Sequence, residues 1–227
     1  MLTNNTHWPY ALLRFYLILA VPVVLVLASV RLVMTPLFLQ IEYHRPGFPV
    51  DYYGMTTDER LSYAPFALDY LIYNHDLSYL ADLRFPDSTP MYNERELSHM
   101  GDVQRVVQAA FLLGAVAAPL TLAAVVILWR AARAQLVRAL RAGSLLTLGM
   151  IAAIVFLAVT SWNFFFTQFH ELFFAEGTWI FLYSDTLIRL FPEQFWFDAA
   201  LTIGGLTVLA ALLLLLLTWR WRVPPDF

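Results

Sequence analysis

Ala199 to Trp219 reads AALTIGGLTVLAALLLLLLTW, a run with no charged residue. Hydrocarbon about 30 Å thick is crossed by roughly 20 apolar helical residues, so this run is long enough to span a membrane. Three other stretches share its character: Leu12 to Met34, Val106 to Trp129 and Ala142 to Phe166. Only the first carries charge, as Arg14 and Arg31 near its ends, where long side chains reach the headgroups; its Pro22 is tolerated in a membrane helix. That stretch is longer than the apolar core of a signal peptide and thinly flanked by basic residues, so it reads as a retained span. The composition agrees, with 60% of the 227 residues hydrophobic against about 45–50% in an average soluble domain. The fold class expected is an all-α membrane protein, a four-helix transmembrane bundle forming a single integral membrane domain over residues 1–227.

The charges set an orientation. Between the second and third spans lie Arg130, Arg133, Arg138 and Arg141 with no acid, and Arg220 and Arg222 follow the fourth span. By the positive-inside rule both segments, and hence both termini, face the cytoplasm. The opposite side receives residues 35–105 and 167–198, which hold 16 of the 17 carboxylates. Dense aromatics between Pro36 and Arg105 argue for a packed external cap. Within it Thr56 and Glu59 have capping-box spacing ahead of a short amphipathic helix running to about Tyr73, which Pro65 would kink; Asn93 and Glu96 open a second helix that continues into the second span. Trp179 and Trp196 on one side, and Trp129, Trp219 and Trp221 on the other, fall where aromatic belts form.

Composition also excludes chemistry. All 14 basic residues are Arg, so no lysine can form a Schiff base or serve a P-loop, and without Cys there is no thiolate, Fe–S cluster or disulfide. A net charge of −3 creates no field to recruit nucleic acid. There is no GxSxG elbow, and Ser98 and Ser184 lie in no nucleophile context.

Five histidines remain. His7 lies in the N-terminal tail, and His44 and His75 in loop-like parts of the cap. Only His99 and His170 sit at the outer ends of spans, where a bundle can bring them together. On a helix Asp102 lies on the face of His99 and could accept from one ring nitrogen; Arg95 lies on that face too. On this expectation, Asp102→Asn costs more than roughly tenfold in rate. The face of His170 runs back through Thr167 to Asn163, polar positions in an apolar span. A salt bridge between His99 and Asp102 with His170 anchored at the headgroups is the plainer alternative. The sequence HELFF at His170 begins like the zinc motif HExxH but has Phe174 where a second ligand belongs; two His with Asp102 or Glu171 could still hold a metal and hydrolyse a substrate. Otherwise the pair can act as general base and acid on a substrate that brings its own nucleophile.

The stretches ERELSHMGDV (Glu94 to Val103) and FHELFFAEGTWIFLYSDTLIRLFPEQFW (Phe169 to Trp196) resemble a family of four-span bacterial membrane proteins that includes the lipoprotein intramolecular transacylase. The likeness is carried by HM-x-DV, FH-x-x-FF, and W-x-F followed by DTLIRLFPE-x-FW; the cap from His44 to Pro90 has no clear counterpart. The resemblance implies movement of an acyl chain from the glyceryl group of a diacylglyceryl-modified cysteine to the amine of that cysteine, giving a lyso-form lipoprotein. It implies diacylglyceryl-modified lipoproteins and membrane lipid as partners, no cofactor and no resident metal. It also implies His99 and His170 as the functional histidines. Asp102, Asn163, Thr167 and Arg105 are their expected supports, Arg105 or backbone amides of the cap serving as oxyanion donors. A non-catalytic membrane scaffold or lipid-binding protein is the competing expectation.

Overall fold

The computed structural model describes residues 8–175 and 177–221. His7 and Arg222 lie outside the described residues. Among those described the chain is helical, with one isolated β-bridge between Arg84 and Pro90. In order the helices are α1 (Trp8–Val33), α2 (Pro36–Tyr43), α3 (Thr57–Tyr73), α4 (Ser78–Ala81), α5 (Glu94–Ala131), α6 (Arg133–Thr160), α7 (Trp162–Phe173), α8 (Thr186–Leu190) and α9 (Glu193–Trp219). Four of them, α1, α5, α6 and α9, are long and apolar enough to cross a membrane.

Boundaries follow local chemistry. Asn93 and Glu96 cap α5 reciprocally: the Glu96 N–H donates to Asn93 Oδ1 at 3.0 Å and the Asn93 N–H to Glu96 Oε2 at 2.8 Å. Thr56 and Glu59 form the expected box on α3, which passes through Pro65 and ends at Asn74 in the left-handed region. The arginine-rich connection is shorter than the sequence suggested, because Arg133 to Arg141 are already helical. The third apolar run also ends early. Ser161 adopts extended geometry and its hydroxyl accepts from Phe164 N at 3.4 Å, so α6 stops at Thr160 and a new helix begins. Asn163 and Thr167 therefore belong to α7, outside the third span.

The chain divides into two compact units. The first comprises the described parts of Met1–Val30, Leu112–Phe156 and Ile203–Phe227. Its core is Leu17, Val21, Ala124, Leu128, Leu136, Ala139 and Leu140. Helices in lipid gain little from hiding Leu from hydrocarbon, so close approach and buried hydrogen bonds matter more. Gly143 permits such an approach, since a Cβ there would lie 2.9 Å from Val21 Cβ. Thr207 Oγ1 donates to Ser29 Oγ at 3.0 Å, and Arg141 to the Thr218 carbonyl at 2.8 Å. Leucines such as Leu112, Leu120, Leu213 and Leu217 face outward, as lipid-facing surface does.

The second unit comprises Arg31–Phe111 and Leu157–Thr202. Here α2 and α8 both pack on α3. Arg60, 3% exposed, donates to the Arg189 carbonyl at 2.9 Å and the Pro49 carbonyl at 2.8 Å, and Arg189 pairs with Asp51 at 3.1 Å. A buried cation satisfied by backbone carbonyls ties the segment at Pro49 to α8, and both line a cavity that Trp162 borders.

Candidate active site

His99 lies in the second turn of α5, ahead of the apolar run that starts at Val106, and His170 in the last turn of α7. Their ring centroids are 6.3 Å apart with planes 21° from parallel. At that separation the two imidazoles belong to one site.

The pair sits in an aromatic box. Phe174 and Phe181 lie 5.0 Å and 5.3 Å from His99, and Phe166 and Trp179 lie 4.0 Å and 4.8 Å from His170. Burial disfavours the charged imidazolium. It is the main reason that His99, 8% exposed, is pushed down to about 4, with the neighbouring His170 adding to the effect and Asp102 opposing it. His170 is lowered as well, again by burial, with the Phe166 carbonyl opposing. Both rings are thus neutral near pH 7 and able to accept a proton.

A backbone contact fixes one tautomer. His170 Nδ1 lies 2.8 Å from the Phe166 carbonyl, which can only accept, so Nδ1 carries the hydrogen and Nε2 presents the lone pair. His99 Nδ1 is buried with no partner among the described residues.

The expected supports are distributed differently. Asp102 pairs with Arg105, so its carboxylate serves that guanidinium, and no hydrogen bond joins it to His99. The expectation that Asp102 orients His99 is corrected on this point: one helical turn brings it close enough to be felt electrostatically, but the neighbouring cation one turn further competes for its oxygens. The Arg105 side chain is 76% exposed, far from the enclosed setting an oxyanion donor needs. Asn163 is exposed in the first turn of α7, and Thr167 is half-buried, its hydroxyl bonded to none of the described residues. Glu171 accepts from Gln168 at 2.8 Å, and no group of three His, Asp or Glu placed to hold a metal occurs among the described residues.

What sequence reasoning passed over is the wall of the box. Trp179, assigned to an aromatic belt, lies against His170 instead. Its loop turns at Gly177, whose φ of +81° suits a residue without Cβ, and is strapped at the far end by Asp185. That carboxylate, 9% exposed, accepts from Leu182 N at 2.8 Å, Asn93 Nδ2 at 3.1 Å and Arg95 at 3.0 Å. Arg95 also lies over the Phe181 ring at 5.7 Å. One residue later in α5, Glu96 accepts from Leu187 N at 2.7 Å, so the first turn of α5 holds both the loop and α8. The motifs quoted from the sequence contain Phe174, Trp179, Phe181 and Asp185, but spacing alone could not tell lipid-facing rings from site-facing ones. Along α7, Phe166 stands between His170 and Trp162, which borders a cavity of about 870 Å³.

The family model for the lipoprotein intramolecular transacylase Lit matches residues 15–196, a span that contains both histidines and the whole box. The chain belongs to the lipoprotein intramolecular transacylase family. As a family member it is an integral membrane acyltransferase. An uncharacterised protein of Aquifex aeolicus is 30% identical over 211 residues, 90% of this chain and 92% of that one. The solved structure of the transacylase Lit of Bacillus cereus superposes with a TM-score of 0.76 at 18% identity, covering 93% of this chain and 95% of that one. A second structure of that protein, with one histidine replaced by alanine, gives 0.71 at 17% identity over 95% of this chain and 96% of that one. At such identities these structures speak for the shared fold.

Proposed function

We propose that the protein moves an acyl chain from the glyceryl ester of a diacylglyceryl-modified cysteine to the α-amine of the same cysteine, using His99 and His170. The observation that carries this reading is the facing imidazole pair, with the His170 tautomer set by the Phe166 carbonyl. The substrate supplies nucleophile and electrophile in one molecule, so the enzyme has to hold them together, move one proton and stabilise developing charge. His170 Nε2 takes the proton of the attacking amine and returns it to the glyceryl oxygen as the ester bond breaks. His99, kept neutral by burial, hydrogen-bonds the same centre from the other side. The cavity bordered by Trp162 gives room for parts of the lipopeptide that do not react.

The assay is a synthetic diacylglyceryl-cysteine peptide with purified enzyme. Intact mass stays constant, and fragmentation places the acyl group on the cysteine nitrogen. Either His99→Ala or His170→Ala abolishes the shift while membrane insertion persists, because both residues lie beyond the apolar runs that drive insertion. An N-acetylated substrate is inert; its turnover would mean that the pair activates water, making the protein a lipase or esterase. Two isotopically distinct substrates mixed together yield no crossed product, whereas crossed product would overturn the intramolecular step.

The same reading puts the site on the outer face of a bacterial plasma membrane with both termini in the cytoplasm. Reporter fusions after Val137 should read cytoplasmic, and those after Thr89 or Asp185 external. An external signal at Val137 would reverse the placement.

A further inference from the structure

Attack of the amine on the ester forms a C–N bond and pushes the carbonyl π electrons onto oxygen. That oxyanion needs a hydrogen-bond donor fixed in a dry site, and neither histidine role described above supplies one dedicated to it. Arg105, the donor candidate suggested by the sequence, is committed to Asp102 and faces solvent. Among the described residues the rings beside His170 are His99, Phe166, Phe169, Phe174 and Trp179, and of these only Trp179 adds a donor that is not an imidazole.

We propose that the indole N–H of Trp179 holds the ester carbonyl oxygen as it becomes an oxyanion, which makes Trp179 a catalytic residue; this rests on the His99–His170 reading. Two independent observations meet here. The indole ring packs at 4.8 Å from His170, the length scale on which one substrate carbonyl group meets both residues. Its Nε1 is buried and has no hydrogen-bond partner among the described residues. An indole N–H can only donate, so a buried one is worth about 1–3 kcal/mol more when an acceptor meets it. A substrate carbonyl is an acceptor of the right kind, and a better one once it is negative.

The loop is built to keep this donor still. Gly177 turns the chain just before Trp179, Asp185 ties the far end to Asn93 and Arg95, and Phe166 supports the indole from α7 at 6.2 Å. Preorganisation of this kind lets a donor act on the transition state without reorganising at the moment of reaction. In the full step, the amine nitrogen bonds to the ester carbon, its proton passes to His170 Nε2, and the oxyanion rests on Trp179. Collapse restores the carbonyl, breaks the bond to the glyceryl oxygen and returns the proton to it. Ester plus amine become amide plus hydroxyl, with no co-reactant.

The test removes the N–H and keeps the shape. Replacement of Trp179 by 3-benzothienylalanine, in which sulfur stands for the indole N–H, should lower kcat by roughly ten- to a hundredfold with KM nearly unchanged, because the bond strengthens in the transition state. Trp179→Phe should fall at least as far. A thionoester substrate, whose sulfur is a poor acceptor, should already be slow with the wild-type enzyme and should lose no more with the analogue, a non-additivity that a merely structural indole would not produce. Wild-type kcat in the benzothienyl enzyme, alongside an inactive His170→Ala, would overturn the oxyanion assignment alone. Activity in His170→Ala would overturn the dyad reading beneath it.

Discussion

Acid should destabilise this protein through His99 before it reaches most carboxylates. The ring ordinarily titrates near 6.5, and in the fold burial among Phe174, Phe181 and His170 pushes it down to about 4. Between those values the unfolded chain binds a proton that the folded chain refuses, so stability rises with pH across this window and is lost as pH falls through it. Integrated from pH 7 to pH 4.5, the His99 contribution to the loss is about 2 kcal/mol, which for 150–250 residues corresponds to a fall in Tm of roughly 4–8 °C. The perturbation that isolates it is His99→Leu, which keeps an apolar side chain of similar reach and removes the titration. Thermal unfolding of both proteins in detergent, followed by tryptophan fluorescence from pH 7 to 4.5, supplies the comparison. His170 is lowered for the same reason and remains in both proteins, so it cancels. The difference in Tm between wild type and variant should shift with pH by roughly the amount stated. Parallel curves would refute the reasoning, because they would mean that His99 titrates in the fold as it does in water.

Glu96→Ala should cost about 1–3 kcal/mol, since it orphans the buried N–H of Leu187; a Tm within about 2 °C of wild type would argue against the bridge. Gly143→Ala should cost about 1–3 kcal/mol by driving a methyl group against Val21, read as a lower midpoint of detergent-induced unfolding with activity at permissive temperature preserved. Asp102→Asn should change kcat by less than about threefold, because its carboxylate is engaged by Arg105 and not by the His99 ring; a loss beyond roughly tenfold would restore the orienting role expected from helix geometry.

Four chargeless or nearly chargeless runs were enough to specify a helical membrane protein, because in hydrocarbon only a helix or a closed barrel satisfies its own backbone. The capping pairs Thr56 with Glu59 and Asn93 with Glu96 were equally plain, since each is a contact between residues three apart. His99 and His170 could be singled out from their positions at the ends of apolar runs. Other features depended on contacts between distant segments. The break at Ser161 arises from a hydroxyl cap that outcompetes helix continuation inside an apolar stretch, and hydrophobicity does not register it. Asp102 faces His99 by periodicity, yet its hydrogen bonds are decided by Arg105, a competitor on the same face that periodicity ranks no lower. Trp179 is indistinguishable by composition from a membrane-belt tryptophan. The turn at Gly177 and the Asp185 strap to Asn93 and Arg95, residues about ninety positions away in the chain, bring its indole against His170 and leave its buried N–H without a partner among the described residues.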